Sequence, residues 1–298
     1  MNDARVTAVR SVELGVRDLA AAAEFYGGVW NLDPVAERNG SRYFRGTGAE
    51  HHILALHERG EPALIRVNFA APDRRSVDGV HARLGALGLA DIGEPGELSS
   101  PGGGYGFAFS DGEGRKLAVS SDVATHADAA EAPDRPRKIS HCVLNAADME
   151  ASIAVFTEGL GFTVIDRTGH LCFLCCGPDH HSIALGHGDA PTLHHIAFEM
   201  TDLDSVMRGA GRMRDAGYPI EWGVGRHGPG ANVFSYFLGP DDFIIEYTAE
   251  VEQVDDSYPK RSAEYWANLN PPGWTDRWGV SGPPSERMQA AQMKIGFA

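Results

Sequence analysis

The sequence predicts an α+β protein of two domains. Each domain consists of two β-α-β-β-β modules whose strands curl into a mixed sheet around a cavity, with helices outside. Three observations predict it. The halves of the 298-residue chain repeat each other at an offset of 129 over much of their length. Within each half, short alternating apolar runs of the kind that form half-buried antiparallel strands recur between helix-like segments. Between the halves lies a stretch rich in Ala, Asp and Pro, the composition of a linker.

The elements follow in order. RSVELGVRDLAAAAEFYGGVWNL (10–32) lies over SHCVLNAADMEASIAVFTEGLGF (140–162). Each opens as an apolar strand, turns at Asp18 or Asp148 and continues as a helix. Gly27-Gly28 and Gly159 are expected to end these helices as C-caps. The runs SRYFRG (41–46) and HHILALHE (51–58) match GHLCFLCC (169–176) and HHSIALGH (180–187). Residues 66–89 and 195–218 again read as strand, turn and helix, and residues 107–121 and 236–250 as strand, tight turn and strand. This gives a first domain over 1–122, a linker over 123–136, a second domain over 137–250 and a tail over 251–298. The tail contains Pro259, Pro271, Pro272, Pro283 and Pro284, with Trp266, Trp274 and Trp278 among them. That aromatic content argues against disorder. Short helices are expected near 261–268 and 284–294, and the tail is expected to pack on or over the second domain, covering its cavity entrance.

Composition narrows the function. Hydrophobic residues make up 43% and charged residues 22%, ordinary for a globular protein. A net charge of −15 disfavours nucleic acid and anionic membrane as partners. No apolar run approaches the roughly 20 residues that span a bilayer, and residues 1–14 do not read as a secretory leader. The expected location is cytoplasmic. The four cysteines, Cys142, Cys172, Cys175 and Cys176, all fall in the second half. They read as small buried hydrophobes in strands, since no second Cys/His pair completes a zinc site.

The residues that carry chemistry are also in the second half. His141, His195 and Glu246 sit in the strand-like segments SHCVLN (140–145), LHHIAFEM (193–200) and FIIEYT (243–248). Two imidazoles and one carboxylate suit a non-haem divalent metal with open positions. Glu246 stands among Ile244, Ile245 and Tyr247, where a charge is costly unless paired or metal-bound. The corresponding first-half positions hold Val12, Arg66 and Ala118, so one working site is expected in a duplicated scaffold. His194 is assigned to the opposite face by strand alternation. A further set, His181, His227 and Tyr236, supplies acid, base and hydrogen-bonding groups if it lies around a metal. Taken singly, a loop histidine is solvated and a strand tyrosine is core. Val143, Phe173, Trp222 and Phe234 either line an apolar pocket or simply pack the core.

On these segments the chain resembles the type I extradiol ring-cleavage dioxygenases of the vicinal oxygen chelate superfamily, the catechol 2,3-dioxygenase and 2,3-dihydroxybiphenyl 1,2-dioxygenase group. The likeness spans about residues 5–250. It is most specific in GRHGPGANVFSYFLGPDDFIIEY (225–247), supported by HHSIAL and LHHIAFEM. Ser235 and Asp242 depart from the family's usual apolar and glycine residues. The resemblance implies that His141, His195 and Glu246 hold Fe(II), with Mn(II) as the other metal these ligands accept. It implies that His181 is the catalytic histidine and that His227 and Tyr236 contact the bound diol. It implies a catechol and O2 as reactants, cleavage beside the diol to a muconic semialdehyde-type product, and a homo-oligomer. An apolar pocket favours alkyl- or aryl-substituted catechols over carboxylated ones, although Arg226 could reach a carboxylate. Two other readings compete: a glyoxalase-, epimerase- or resistance-type metalloenzyme of the same superfamily, and a non-catalytic protein that binds an aromatic molecule.

Overall fold

The structure, a computed structural model, describes residues 4–269 and 276–298. The first half contains β1 (Ala8–Val16), α1 (Leu19–Glu24), β2 (Asp33–Arg38), β3 (Ser41–Arg45), β4 (Leu54–Glu58), β5 (Ala63–Ala70), α2 (Arg74–Ala86), β6 (Gly96–Glu97), β7 (Tyr105–Ser110) and β8 (Lys116–Ser121). The second half repeats this order. It runs β9 (Lys138–Ala146), α3 (Met149–Ala154), β10 (Thr163–Arg167), β11 (Leu171–Cys175), β12 (Ile183–His187), β13 (Thr192–Glu199), α4 (Leu203–Asp215), β14 (Trp222–Arg226), β15 (Val233–Leu238) and β16 (Ile244–Ala249). The strands form two mixed sheets, ordered β2-β3-β4-β1-β5-β8-β7-β6 and β10-β11-β12-β9-β13-β16-β15-β14. Each sheet is thus two β-α-β-β-β modules joined through their first strands, β1 with β5 and β9 with β13.

The four module helices start by the same device. Asp18, Asp73, Asp148 and Asp202 are the N-caps, and each side chain accepts from the backbone N–H three residues on. Such a cap contributes about 1 kcal/mol by satisfying one of the unpaired donors of the first turn. The helix ends differ from expectation. Gly27, Gly28 and Gly159 do not cap α1 and α3. They lie inside single π-helical turns, Phe25–Val29 and Val155–Gly159, closed by Trp30 N–H to Phe25 O and Leu160 N–H to Val155 O. The left-handed residues come two positions after each turn, at Asn31 (φ 70°) and Gly161 (φ 84°). Gly159 instead permits close packing, since a Cβ there would meet Leu84 Cδ2 of α2 at 2.5 Å.

The halves share one core. Trp30 of the first half stacks on Tyr247 of β16 with ring centroids 3.7 Å apart, and Phe69 packs edge-on against Phe156 and Phe162. The halves are also joined by a buried charge cluster. Arg115, in the turn before β8, is 1% exposed and pairs with Asp111 and Glu113; its guanidinium also donates to Ser152 Oγ of α3. The turn of one sheet is therefore tied to a helix of the other.

The tail carries α5 (Ala263–Ala267), α6 (Glu286–Ala291) and β17 (Gly296–Phe297), the two helices falling where the sequence places them. Trp274, Pro271 and Pro272 lie outside the described residues. Residues 252–261 follow the second sheet, with His180 N–H bonded to Glu252 O, Val254 N–H to Pro178 O and Arg167 N–H to Arg261 O. The tail then goes further than expected and reaches the first sheet. There β17 pairs parallel with Ala63 and Leu64 of β5. The reason lies in the pairing of β5. β8 pairs with it only over Val67–Ala70, leaving the start of β5 with unpaired backbone groups that β17 satisfies.

Replacing Arg115 by Met should destabilise the protein by about 3–5 kcal/mol, because two carboxylates lose their buried counter-charge. Thermal unfolding of R115M beside wild type measures this, and an unchanged midpoint would show that the cluster does not join the halves.

Candidate metal centre

Three adjacent strands bring the metal trio together. Ala197 of β13 is in register with His141 on β9 and with Glu246 on β16. Paired residues present their side chains on one face, and His195, two positions from Ala197, shares it. The small Ala197 side chain leaves space between its flanking partners. His141 Nε2 and His195 Nε2 each lie 3.2 Å from Glu246 Oε2, and the two nitrogens are 3.4 Å apart. All three residues are buried, Glu246 completely. Glu246 Oε2 nevertheless makes no hydrogen bond of acceptable geometry. Three lone-pair-bearing atoms aimed at one point, with a buried carboxylate oxygen lacking a donor, fit a divalent cation. Among the described residues this is the one His/Cys/Asp/Glu cluster with such convergence.

Neighbouring groups orient the trio. Ser140 Oγ lies 3.2 Å from His141 Nδ1, and His194 Nδ1 lies 2.7 Å from His195 Nδ1. Both contacts occupy Nδ1, which favours the tautomers whose Nε2 lone pairs point inward. Ser140 reaches His141 because it is the extra residue of a β-bulge, where the register jumps from Ala197–His141 to Phe198–Ile139. Behind Glu246, the Asn232 amide donates to Thr248 Oγ1 at 2.8 Å and to Glu246 Oε1 at 3.4 Å. His194 stays out of the ligand set, as alternation requires, yet it buttresses a ligand.

His181, His227 and Tyr236 surround this cluster. Tyr236 is the cross-strand partner of Glu246, so both face the same side, a point that sequence parity across the Gly239-Pro240 turn leaves open. Its ring is 5.1 Å from that of His195, and its hydroxyl is 3.0 Å from His227 Nε2. The His181 ring is 4.2 Å from that of His141. Gly230 (φ 77°) lies against His181, where a Cβ would come within 3.1 Å of the imidazole. Burial pushes the His181 pKa well below its ordinary value, reinforced by His141, and pushes that of His227 down to about 4. Burial and the Glu246 charge hold the Tyr236 hydroxyl protonated. Burial raises the Glu246 pKa, but the His141 and His195 imidazoles outweigh it and keep the carboxyl below its usual range.

The four predicted pocket residues flank the same groups. Phe173 packs edge-on to His181 at 5.1 Å, and Val143 is in register with His195. Trp222 stacks with Tyr236 at 5.2 Å, and Phe234 stacks on His227 at 4.0 Å. They are also members of two small apolar clusters, so packing and lining coincide here. Arg226 is turned away, held by Glu250, Ala231 O and the face of Trp278. The four cysteines are free and buried, with thiol pKa values raised by burial.

The first half holds no equivalent trio among the described residues, but one matching position needs correction. Ser11, not Val12, corresponds to His141, because Ser11 pairs with Asn68 as His141 pairs with Ala197. A bulge at Arg10 matches that at Ser140, and the offset between the halves is one residue larger from β1 to β3 than from β4 onward. Arg66 and Ala118 stand as expected, with Arg66 3.8 Å from Glu13.

Comparison with known proteins agrees with this architecture. Residues 8–119 and 138–247 match the Glyoxalase/Bleomycin resistance protein/Dioxygenase superfamily. The chain belongs to that superfamily. Over 122 residues it is 34% identical to metapyrocatechase 2 of Cupriavidus necator, a match covering 40% of this chain and 38% of that protein. Over 278 residues it is 24% identical to biphenyl-2,3-diol 1,2-dioxygenase of Sphingomonas paucimobilis, covering 81% and 87%. Among solved structures, the Mn(II)-bound glyoxalase of Novosphingobium aromaticivorans superposes with a TM-score of 0.89 at 40% identity, covering 95% of this chain and 94% of that one. The homoprotocatechuate 2,3-dioxygenase of Brevibacterium fuscum, complexed with 3,4-dihydroxyphenylacetate, gives 0.85 at 22% identity, covering 98% and 93%, which shows a common fold. Relatives named for iron and for manganese dependence both occur, so a metal is expected and its identity is open. No helix among the described residues is long and apolar enough to cross a membrane.

Two measurements follow for the metal-free protein. It should bind one divalent ion per chain, seen by titration calorimetry with Mn(II), and Glu246→Ala should weaken that binding at least 100-fold. Its stability should fall as pH drops from about 6.5 toward 4. Unfolded imidazoles bind protons near their ordinary pKa, whereas buried His52 and His227 resist protonation until about 4. The urea midpoint at pH 7 and pH 5 tests this; equal midpoints would mean these imidazoles are not buried neutral.

Proposed function

We propose that the protein is an extradiol dioxygenase, cleaving a catechol beside its two hydroxyls with incorporation of both atoms of O2. The observation that carries this reading is the convergence of His181 and the His227–Tyr236 pair on the trio His141, His195 and Glu246. In this reading the trio holds Fe(II), with Mn(II) the other candidate. When bound, such a metal supplies a chelation point for both diol oxygens and an electron path from the diol to O2.

The chain's own groups supply the rest. The Tyr236 hydroxyl, kept protonated by burial, donates to the ionised diol oxygen. His227 holds that hydroxyl in place through the 3.0 Å contact. His181, neutral at pH 7 and beside His141, accepts a proton and returns it as the ring opens. Phe173, Val143, Trp222 and Phe234 give the cavity apolar walls, which suits an alkyl- or aryl-substituted ring. Arg226 is committed to Glu250 and is not offered to a substrate carboxylate.

A second reading, a glyoxalase-type isomerase, is favoured by the 40% identity to the Mn(II)-bound glyoxalase over nearly its whole length. It would use the same trio but would leave the His181, His227 and Tyr236 set without an evident task.

Oxygen uptake separates the two. The Fe(II)- or Mn(II)-loaded protein should consume one O2 per catechol and form a yellow product with catechol, 3-methylcatechol or 2,3-dihydroxybiphenyl. His181→Ala should keep its metal and lose about 100-fold or more in kcat. Absence of uptake with all three diols, with turnover of an α-ketoaldehyde–thiol adduct, would establish the second reading instead.

A further inference from the structure

Behind His181 lies a chain of buried polar groups that neither the trio nor the diol contacts account for. His181 Nδ1 is 3.1 Å from His180 Nδ1, and His180 Nε2 is 3.1 Å from Asp166 Oδ2 on β10. His180 is 0% and Asp166 1% exposed. Asp166 Oδ2 also accepts from the Tyr258 hydroxyl at 3.1 Å, and Oδ1 accepts from Arg261 N–H at 2.6 Å. The Arg261 guanidinium donates to the same Tyr258 hydroxyl at 2.6 Å, so that hydroxyl's proton is directed to Asp166. Tyr258 and Arg261 both belong to the tail.

These contacts dictate where the ring protons sit. A carboxylate that already accepts from a backbone N–H and a hydroxyl takes a third donor, His180 Nε2–H. With its ring proton placed on Nε2, His180 offers a lone pair at Nδ1. The proton between the two Nδ1 atoms must belong to His181. That leaves His181 Nε2, which makes no hydrogen bond among the described residues, as a bare proton acceptor.

The duplication supplies an internal comparison. The first half keeps the histidine doublet, His51 and His52, with the same 3.1 Å contact between Nδ1 atoms. The residue matching Asp166 there is Ala36: Asp166 pairs with Phe173, which pairs with Ala184, as Ala36 pairs with Tyr43, which pairs with Ala55. The half without a metal trio has the doublet and lacks the acid.

We propose that Asp166 is a positioning residue that fixes, through His180, the Nδ1-protonated tautomer of His181, and that Tyr258 and Arg261 of the tail hold Asp166 for this task. Its effect on turnover rests on the dioxygenase reading above; its effect on the ring protons does not. Asp166→Asn has a specific consequence. With its oxygen still on Arg261 N–H, the new amide NH2 faces His180 Nε2, which must now accept. His180 then carries its proton on Nδ1 and donates it to His181 Nδ1. His181 is left with its proton on Nε2, a donor where the wild type has an acceptor.

Long-range 1H–15N correlation spectra of the metal-free, 15N-histidine-labelled protein at neutral pH read the tautomers directly. Wild type should show His181 protonated on Nδ1 and His180 on Nε2, and D166N should show both reversed. In the metal-loaded protein, D166N should lower kcat at least tenfold while KM stays within about threefold and metal content is unchanged. Tyr258→Phe should lower kcat by less. A wild-type His181 protonated on Nε2 overturns the proposal without needing any variant, as does a folded D166N with unchanged tautomers. If the tautomers reverse but wild type oxidises no catechol, the relay stands and the dioxygenase reading falls.

Discussion

A carboxylate buried completely in the middle of a sheet is the constraint around which the second half is built. Taking Glu246 out of water costs several kcal/mol unless opposite charge or donors compensate. Two imidazoles lie 3.2 Å from its Oε2, and an amide touches its other oxygen. Every neighbouring choice serves that compensation. Ala197 leaves the gap, the bulge at Ser140 aims His141, and His194 braces His195. Burial also lowers the pKa of the His195 imidazole, favouring the neutral form that a metal binds.

The first half shows the same scaffold relieved of that demand. With Ala118 in place of Glu246, no buried charge calls for imidazoles, and Ser11 and Arg66 occupy their positions. What both halves retain is mechanical: aspartate-capped helices, π-helical turns after α1 and α3, bulges at Arg10 and Ser140, and the central antiparallel pairing of each half's two modules. Both halves thus hold the geometry that converges side chains, while among the described residues only the second carries the trio.

Much of this is legible in the sequence because it rests on local or periodic signals. Charged residues in apolar strands reveal the trio, and the repeat reveals the modules. Other features are set by tertiary contacts that leave little local trace. The offset between the halves drops by one residue between β3 and β4, so the single offset of 129 selects Val12 where register selects Ser11. Gly159 resembles a helix cap but serves packing against Leu84, and left-handed Gly161 follows it. Asp166, in TVIDR, reads as an ordinary strand-end acid. Its partners come from residues 180, 258 and 261, and the doublet His180-His181 is the one hint that its neighbour has company. The destination of the tail depends on an unpaired stretch of β5 that sequence periodicity does not display.

The pairing of β17 with β5 bears on the order in which the molecule assembles. Residues near 64 must wait for residues 296–298 before their backbone groups are satisfied, although the rest of their sheet lies within the first 121 residues. A chain emerging from the ribosome can complete local pairings early, but contacts this distant in sequence close late. The same segment also touches the second sheet, since Leu193 of β13 bridges to Ile295 next to β17. The tail segment that braces Asp166 lies on the way to this last docking. Closure of the first sheet and the surroundings of His181 therefore both depend on the tail, through residues 296–298 for the one and 258–261 for the other.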